Sequence, residues 1–345
     1  MVLTEKRKNR LRHAIASVLI IFIIPLCERG KDMSGASSLN AFAGQELKCA
    51  IDLGDDMYGS HGLETGFNYE LLERFAKDNR CSLKILAFGR EVDYMDSLRA
   101  GKLDLVITHE LDKRDGIALT RMVDECSVWA LKEDRQKIRQ MNSWISHITA
   151  SPEFSKIKKR YSGTFNPHKR IEKGIMTSHV CPYDDLIRRH APSLGWDWRM
   201  LAAVIYQESK FSINSTSHRG ALGLMQIMPQ TGTYYGVEDL LNPDNNIKTG
   251  VRHLKRLQNL FRNTEMDESE LVKFTLAAYN AGEGRISDCR SFASENGYDP
   301  NKWDDICKVI PMMRELGKFQ GHETIAYIDS IMSHYEAIRT LCPER

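Results

Sequence analysis

The sequence predicts a multidomain protein in which an N-terminal α/β lobe precedes a C-terminal, mainly α domain. The chain has 345 residues, enough for two domains. In the first half, strand-like segments alternate with helical ones, whereas the second half carries apolar residues at helical spacing. We therefore expect the lobe at residues 46–165 and the helical domain at residues 181–345. Glycine, proline and basic residues between them predict a linker at residues 166–180.

The N-terminal 27 residues have the pattern of an export signal. Five basic residues against one acidic residue precede a mostly apolar run at residues 14–26, which is short for a membrane span. Cys27 follows directly, and this position predicts lipid attachment, although a leucine replaces the small residue usual before such a cysteine. An uncleaved anchor and ordinary secretion are the alternatives. All three export the protein, and we expect it in the cell envelope, on the periplasmic side, as a membrane-anchored lipoprotein of the outer membrane. The Ser- and Gly-rich residues 28–45 predict a linker.

Charge and cysteine spacing exclude several classes of protein. The net charge is only +2, and no basic stripe of the kind that binds nucleic acid is present. No Cys/His spacing typical of zinc occurs, so we expect neither a metal nor a cofactor. Seven cysteines follow Cys27, so at least one cannot pair within the chain. We expect free thiols, with a Cys289–Cys307 bridge as the alternative, since an exported protein can form disulfides.

Strand and helix candidates alternate through the first half. The predicted strands cover residues 47–52, 83–86, 103–108 and 128–131. The predicted helices cover residues 69–76, 95–98 and 138–148. The first three strands with their helices have the order βαβαβ, which favours a parallel sheet. His109 and Glu110 end the third strand, at the edge where open α/β sheets bind ligands.

The second half begins with a helix that ends in a carboxylic acid. Leu201, Val204 and Ile205 form an apolar stripe along this helix, and Glu208 lies on the same face. Asp197 is the expected N-cap of this helix. Because burial disfavours the charged carboxylate, the pKa of Glu208 should rise, and a general acid needs a proton near neutral pH. The alternative is a glutamate that bends outward into water.

A glycine-rich passage follows the acid. Gly220 and Gly223 allow positive φ and close approach of the backbone to a ligand. Within this passage Gln226 could place an amide beside the acid, and Ser217 a hydroxyl. Taken alone, the passage also fits an ordinary loop.

A second apolar helix leads to a Tyr-Asn pair. The helix ends at Gly282, a typical C-terminal glycine, so Tyr279 and Asn280 lie where it opens into a cleft. Capping or packing would explain either residue on its own.

Together these segments resemble the catalytic domain of the soluble lytic transglycosylase (SLT) family, which shares the goose-type lysozyme fold. The resemblance covers residues 181–345. It rests on Gln207-Glu208-Ser209, Ser217, the run from Gly220 to Pro229, Asn245-Asn246-Ile247 with Gly250, the run from Ala277 to Gly282, and Glu323-Thr324 with Tyr327. It implies that Glu208 is the single catalytic acid/base and that Ser217 lies near the N-acetyl group of the substrate. The residues implied to line the saccharide groove are Gln226, Met228, Tyr279, Asn280 and Tyr327.

The resemblance also implies the reaction. Most glycosidases use two carboxylates, and this motif set offers one. The acetamido oxygen of N-acetylmuramic acid (MurNAc) would then attack C1, and Glu208 would help to close a 1,6-anhydro ring. The bond cleaved is the β-1,4 bond between MurNAc and N-acetylglucosamine (GlcNAc) in peptidoglycan. A hydrolytic lysozyme-like muramidase and a non-catalytic peptidoglycan-binding receptor are the alternative functions.

The first half resembles lobe one of the extracellular solute-binding proteins, which are periplasmic-binding proteins for amino acids. The matching runs are residues 66–72 and 98–105. Arg114 stands where that family binds a ligand carboxylate, which implies a peptide or amino-acid ligand; a solvated surface arginine is the alternative. Both halves together resemble membrane-bound lytic transglycosylases, but a second lobe is replaced by residues 120–128. We therefore expect a truncated single lobe that serves as a docking or regulatory platform.

Overall fold

The computed structural model describes residues 40–52, 61–86, 93–112, 114–124, 127–161, 166–174, 177, 179–263, 265–315 and 321–343. From Gly44 onward these residues form one compact unit. The predicted export signal with Cys27, and most of the predicted linker at residues 28–45, lie outside the described residues. None of the helices that the structure describes is long and apolar enough to cross a membrane.

A small sheet with flanking helices precedes a helical domain. The strands are β1 (Glu46–Asp52), β2 (Ser82–Ile85), β3 (Leu105–Thr108), β4 (Ile117–Leu119) and β5 (Val128–Lys132). The first five helices are α1 (His61–Asn79), α2 (Tyr94–Arg99), α3 (Arg135–Thr149), α4 (Pro152–Tyr161) and α5 (Pro167–Glu172). The later helices are α6 (Asp184–His190), a 3-10 turn (Ala191–Leu194), α7 (Trp198–Ser209), α8 (Pro229–Tyr234), α9 (Pro243–Phe261), α10 (Glu268–Ala281), α11 (Glu283–Glu295), α12 (Trp303–Glu315) and α13 (His322–Leu341).

The sheet is mixed, with the strand order β2-β1-β3-β5-β4. The parallel pairing predicted for the first three strands is confirmed, because β1 pairs in parallel with both β2 and β3. The fourth predicted strand, β5, runs antiparallel to β3, and β4 runs antiparallel to β5. Parallel neighbours need a long crossover, and residues 120–127 between β4 and β5 are too few for one. The short connection therefore leaves β4 and β5 as an antiparallel pair.

The two faces of the sheet bury different side chains, because successive residues of a strand point to opposite sides. On one face, small and aliphatic residues pack together. They are Ala50, Met95, Leu98, Leu103, Val106 and Ala130. On the other face Trp129 stacks on Trp144 of α3 with ring centroids 5.7 Å apart, and Phe75 of α1 contacts Trp129 edge-on at 5.6 Å. The helices α1 and α3 are thus held by aromatic packing.

Helix α7 forms the centre of the helical domain and carries Glu208 at its C-terminal end. Its N-cap is Asp197, as predicted, since the Asp197 side chain accepts a hydrogen bond from the backbone N–H of Arg199. The predicted stripe residues Leu201, Val204 and Ile205 are fully buried, and α13 packs along the helix.

The predicted linker contains a helix. Asn166 caps α5 through its side chain, and Pro167 occupies the first helical position, where a missing N–H costs nothing. His168 of α5 is hydrogen-bonded to His334 of α13 at 3.0 Å. Further along, the side-chain amide of Asn214 donates to the carbonyl of Ile51 in β1 at 2.9 Å. The sheet and the helical domain are therefore in direct contact, and the domain boundaries themselves stay a prediction.

Free thiols, rather than the alternative bridge, are found at both cysteines of the candidate pair. Cys289 is fully buried and Cys307 is partly buried. Burial raises the pKa of the Cys289 thiol to about 12, and the Asp288 charge acts in the same direction. The Cys289 thiol therefore stays protonated at neutral pH.

Candidate active site

The site is built around Glu208, at the last turn of α7, and Tyr327, in the second turn of α13. The hydroxyl of Tyr327 donates a hydrogen bond to Oε1 of Glu208. Burial raises the pKa of Glu208 to about 7, while the hydrogen bond from Tyr327 and the positive charge of Lys210 act in the opposite direction. Near neutral pH this carboxyl group can therefore either donate or accept a proton, as an acid/base catalyst must.

Tyr279 of α10 lies close enough to Glu208 for the carboxylate charge to affect it. Burial, followed by the charge of Glu208, raises the pKa of Tyr279 well above its usual range. Its hydroxyl donates to the carbonyl of Met225 at 2.7 Å. Burial and Glu208 likewise raise the pKa of Tyr327. Both phenols thus stay protonated and act as hydrogen-bond donors at neutral pH.

Asn280, next to Tyr279, is exposed at the end of α10. Its Oδ1 accepts a hydrogen bond from the hydroxyl of Thr324 at 2.9 Å, which ties the end of α10 to the first turn of α13. Helix α10 ends at Gly282, as predicted, and Gly282 has a φ of +93° that a side chain would disfavour. The exposed Asn280 side chain is thus linked through Thr324 to the helix that carries Tyr327.

The glycine-rich loop holds its shape through its own polar side chains. Oγ of Ser217 accepts from the backbone N–H of Ala221 at 3.0 Å. The amide nitrogen of Gln226 donates to the carbonyls of Ser215 and Gly223, both at 3.0 Å. The Gln226 amide nitrogen thus supports the loop, and the predicted place of the amide beside the acid stays a prediction.

Asn246 of α9 fastens this loop to the domain. Its Oδ1 accepts from the backbone N–H of Met225 at 2.8 Å, and its Nδ2 donates to the carbonyls of Leu222 and Leu240 at 2.9 and 2.7 Å. Asn246 is buried, and its bonds to Met225 and Leu240 are buried with it. The carbonyl that receives Tyr279 belongs to Met225, so Asn246 and Tyr279 fix the same residue from two sides.

Close backbone packing explains the glycine at position 250. A Cβ at Gly250 would lie 2.4 Å from the sulfur and 3.0 Å from Cβ of Met225. Met228, the remaining predicted groove residue, is partly buried and precedes α8 as its N-cap residue. The motif that the sequence contains is therefore a packing unit as much as a binding surface.

Two residues near the acid were not among the predicted site residues. Lys210 follows α7 in a left-handed conformation (φ +53°), and its amine lies 4.3 Å from the ring centroid of Tyr206. His334 is hydrogen-bonded to Gln207 at 3.2 Å, and burial, with Lys210 and His168, lowers its pKa to about 4. A sequence signal exists for His334, since it follows Tyr327 by seven residues and so shares its face of α13.

Glu208 has no carboxylate partner among the described residues that would shift its pKa. Glu283, which follows the Tyr279-Asn280 pair in the sequence, is instead paired with Arg256 at 2.7 Å. That pairing lowers the pKa of Glu283. The described site therefore presents one acid for proton transfer.

The lobe's candidate ligand residue, Arg114, is engaged by acidic side chains of the lobe. Its guanidinium donates to Asp93 at 2.9 Å and to Glu110 at 2.8 and 3.1 Å. The hydrogen bonds to Asp93 and Glu110 raise the pKa of Arg114. The hydrogen bond from Arg114 in turn lowers the pKa of Asp93. A ligand carboxylate would have to compete with both acids.

In the described part of the chain, no group of three or more His, Cys, Asp or Glu side chains is placed to hold a metal ion.

Comparison with known proteins gives the class of the helical domain. Residues 185–302 match the family model described as Transglycosylase SLT domain. The resemblance to lytic transglycosylases that the motifs indicate is thereby confirmed.

The curated proteins that are similar in sequence to this chain share one name. Proteins called membrane-bound lytic murein transglycosylase F include one from Desulfosudis oleivorans, 32% identical over 225 residues, covering 61% of this chain and 49% of the relative. Another, from Idiomarina loihiensis, is 26% identical over 272 residues, covering 72% and 59%. The chain thus spans about half the length of the curated relatives it matches. Among solved structures, the 70 kDa soluble lytic transglycosylase of Escherichia coli is 25% identical over 48% of this chain and 25% of that one, with a TM-score of 0.37.

Proposed function

We propose that this protein is a peptidoglycan lytic transglycosylase that cleaves the β-1,4 bond between MurNAc and GlcNAc without water. The observation that carries the proposal is the buried Glu208, with a pKa of about 7 and a tyrosine hydrogen bond on its carboxyl group. The SLT match over residues 185–302 and the name of the relatives support the substrate class.

In the first step, Glu208 in its protonated form donates its proton to the glycosidic oxygen. The bond between C1 of MurNAc and that oxygen breaks, and the acetamido oxygen of the same sugar forms a bond to C1. The product is an oxazolinium-like ion, whose positive charge the new Glu208 carboxylate balances. Tyr327 donates to Oε1 and so orients the carboxyl group for this transfer.

In the second step, the Glu208 carboxylate removes the proton of the C6 hydroxyl. The C6 oxygen attacks C1, the bond from the acetamido oxygen breaks, and a 1,6-anhydro ring closes. Glu208 is protonated again, so the cycle needs neither water nor a second carboxylate. Ser217 would contact the N-acetyl group, and Gln226, Met228, Tyr279 and Asn280 would line the saccharide groove.

Replacement of the acid tests the proposal. Purified full-length protein in detergent is incubated with peptidoglycan, and soluble muropeptides are measured for wild type and Glu208→Gln. The matched control is Glu336→Gln, an exposed glutamate on α13. We expect release by wild type and by the control, and loss of release in Glu208→Gln with its circular dichroism unchanged. Release by folded Glu208→Gln would remove the acid from the mechanism, and sacculus binding without release by wild type would favour a receptor.

We further propose that the N-terminal part is a single periplasmic-binding-like lobe that can bind a peptide or amino acid through Arg114. Support comes from the three parallel strands and from the position of Arg114 shortly after β3. Calorimetric titration with amino acids and muramyl peptides tests this function. Heat that disappears in Arg114→Gln supports the ligand site, and equal heats in both proteins contradict it.

Membrane attachment through Cys27 is likewise a proposal, supported by the basic and apolar N-terminal segment and by the relatives' description as membrane-bound. It would anchor the protein on the periplasmic side of the cell envelope. Labelled palmitate should be incorporated into wild type and not into Cys27→Ser; a wild type without label would contradict lipidation.

A further inference from the structure

A row of ring side chains leads away from the acid across the surface of the helical domain. The ring centroid of His253 lies 5.5 Å from that of Tyr279, that of Tyr235 lies 6.2 Å from His253, and that of Tyr234 lies 4.9 Å from Tyr235. We call Tyr234, Tyr235, His253 and Tyr279 the aromatic row. It connects the end of α8, the middle of α9 and the end of α10.

Tyr234, at the end of the row away from the acid, is strongly exposed. Tyr234 is 73% exposed, the most of the large apolar side chains that the structure describes as exposed. Tyr235, by contrast, is partly buried, and the guanidinium of Arg252 lies over its ring at 4.8 Å from the centroid. The exposed ring of Tyr234 thus contacts a ring that Arg252 covers.

The polar groups beside the row suit a saccharide with carboxylates nearby. Arg252 is exposed and donates to the carbonyl of Tyr235 at 3.1 Å, so its charge is held next to the rings. Burial and the charge of Arg256 lower the pKa of His253, so its imidazole is neutral at neutral pH and can hydrogen-bond to hydroxyls. Apolar rings, neutral donors and an adjacent cation together match the C–H faces, hydroxyls and peptide carboxylates of a glycan strand.

We propose that the aromatic row is an additional binding site for the peptidoglycan glycan strand, in which the ring of Tyr234 stacks on a sugar distant from the cleaved bond. The occupant is a glycan because the row is continuous with Tyr279, whose hydroxyl is bonded to Met225 in the glycine-rich loop of the candidate active site. This inference rests on the proposed function for its substrate. Only a glycan strand that extends beyond the sugars at the cleaved bond can reach the contact with Tyr234.

Binding to intact peptidoglycan tests the row without catalysis. Glu208→Gln in the full-length protein is the background, and sedimentation with purified sacculi gives the apparent affinity. Adding Tyr234→Ala should weaken binding by about threefold to tenfold, as expected for loss of one aromatic stacking contact. Adding Tyr234→Phe should preserve binding, because the ring remains. The matched control is Leu260→Ala, a 55% exposed apolar residue further along α9 and outside the row, which should bind like the background.

The possible results separate this inference from the proposed function. Equal affinity of the Tyr234→Ala and Leu260→Ala proteins would overturn the row, even if wild type cleaves peptidoglycan. Weak binding by Tyr234→Phe would also overturn it, because the hydroxyl would then be the binding group. A change in self-association on size exclusion, with unchanged sacculus binding, would assign Tyr234 to contact between copies. If wild type cleaves nothing, weaker binding of Tyr234→Ala alone would still support the row while the proposed function fails.

Discussion

Tyr327 and Glu208, 119 residues apart in the sequence, meet through a hydrogen bond from the phenol to the carboxyl oxygen Oε1. The bond joins the C-terminal end of α7 to the start of α13. It favours the ionised carboxyl group, while burial favours the protonated one. The pKa of about 7 is the balance between burial on one side and Tyr327 with Lys210 on the other, so the contribution of Tyr327 can be altered separately.

Replacing Tyr327 by Phe should move the pH dependence of cleavage. Without the donor, the charged form of Glu208 loses its stabilisation, so its pKa rises further. We expect the alkaline limb of the kcat/KM profile to shift upward by about one pH unit. Tyr335→Phe is the control, because its hydroxyl contacts Asp197 at the other end of α7. An alkaline limb that stays in place, or moves to lower pH, would show that the bond does not set this pKa.

Glu208→Gln should stabilise the protein at alkaline pH. The folded-state pKa of about 7 lies above the ordinary value of 4.5, so wild type loses stability as the pH rises from 4.5 to 7. The glutamine side chain of the variant does not titrate, and its advantage should reach roughly 3 kcal/mol above pH 7 and vanish below pH 4.5. Denaturant unfolding at a series of pH values measures this difference.

The control for this stability measurement is Glu283→Gln. Pairing with Arg256 lowers the pKa of Glu283, so that carboxylate contributes stability that is lost as pH falls. Its replacement should therefore destabilise the protein at neutral and alkaline pH. If both variants shift stability in the same direction above pH 7, the raised pKa of Glu208 is wrong.

Asn246→Ala should release the glycine-rich loop. The substitution removes three hydrogen bonds and leaves the N–H of Met225 and the carbonyls of Leu222 and Leu240 without this partner. We expect a loss of about 2 to 4 kcal/mol in the free energy of unfolding, together with loss of cleavage. Asn245→Ala is the matched control, since the side chain of Asn245 makes one bond at 3.2 Å to Asp239. Equal losses for the two variants would contradict the fastening role of Asn246.

Gly250→Ala should destabilise the domain through Met225. The added methyl group would overlap both the sulfur and Cβ of Met225, so movement of the flexible end alone cannot relieve the clash. We expect a loss of about 1 to 3 kcal/mol in thermal or denaturant unfolding. Gly284→Ala, in α11, meets no atom within 4 Å and should be neutral or slightly stabilising. A Gly250→Ala protein as stable as wild type would mean that the close approach of Met225 does not require glycine.

Local patterns predicted a large share of the fold. Asp197, the apolar stripe of α7 and the glycine after α10 follow from capping, periodicity and backbone freedom, which neighbouring residues determine. The four strand candidates were confirmed for the same reason. The antiparallel direction of β5 was missed, because it depends on how a short hairpin packs against β3.

The site could be predicted only as a set of residues. The motifs name Glu208, Tyr279 and Tyr327, but their hydrogen bonds depend on three helices that meet across long sequence separations. The loop role of the Gln226 amide was missed because its partners are backbone carbonyls, which leave no pattern in the sequence. His334 was missed because a lone histidine on a helix has many ordinary explanations.

The most direct test of the account is product analysis after digestion of peptidoglycan in water labelled with oxygen-18. Released muropeptides are identified by mass spectrometry. The account predicts 1,6-anhydro-MurNAc ends that contain no label, because the C6 hydroxyl and not water closes the ring. Reducing MurNAc ends that carry the label at every cut would contradict it, and would make the protein a hydrolytic muramidase.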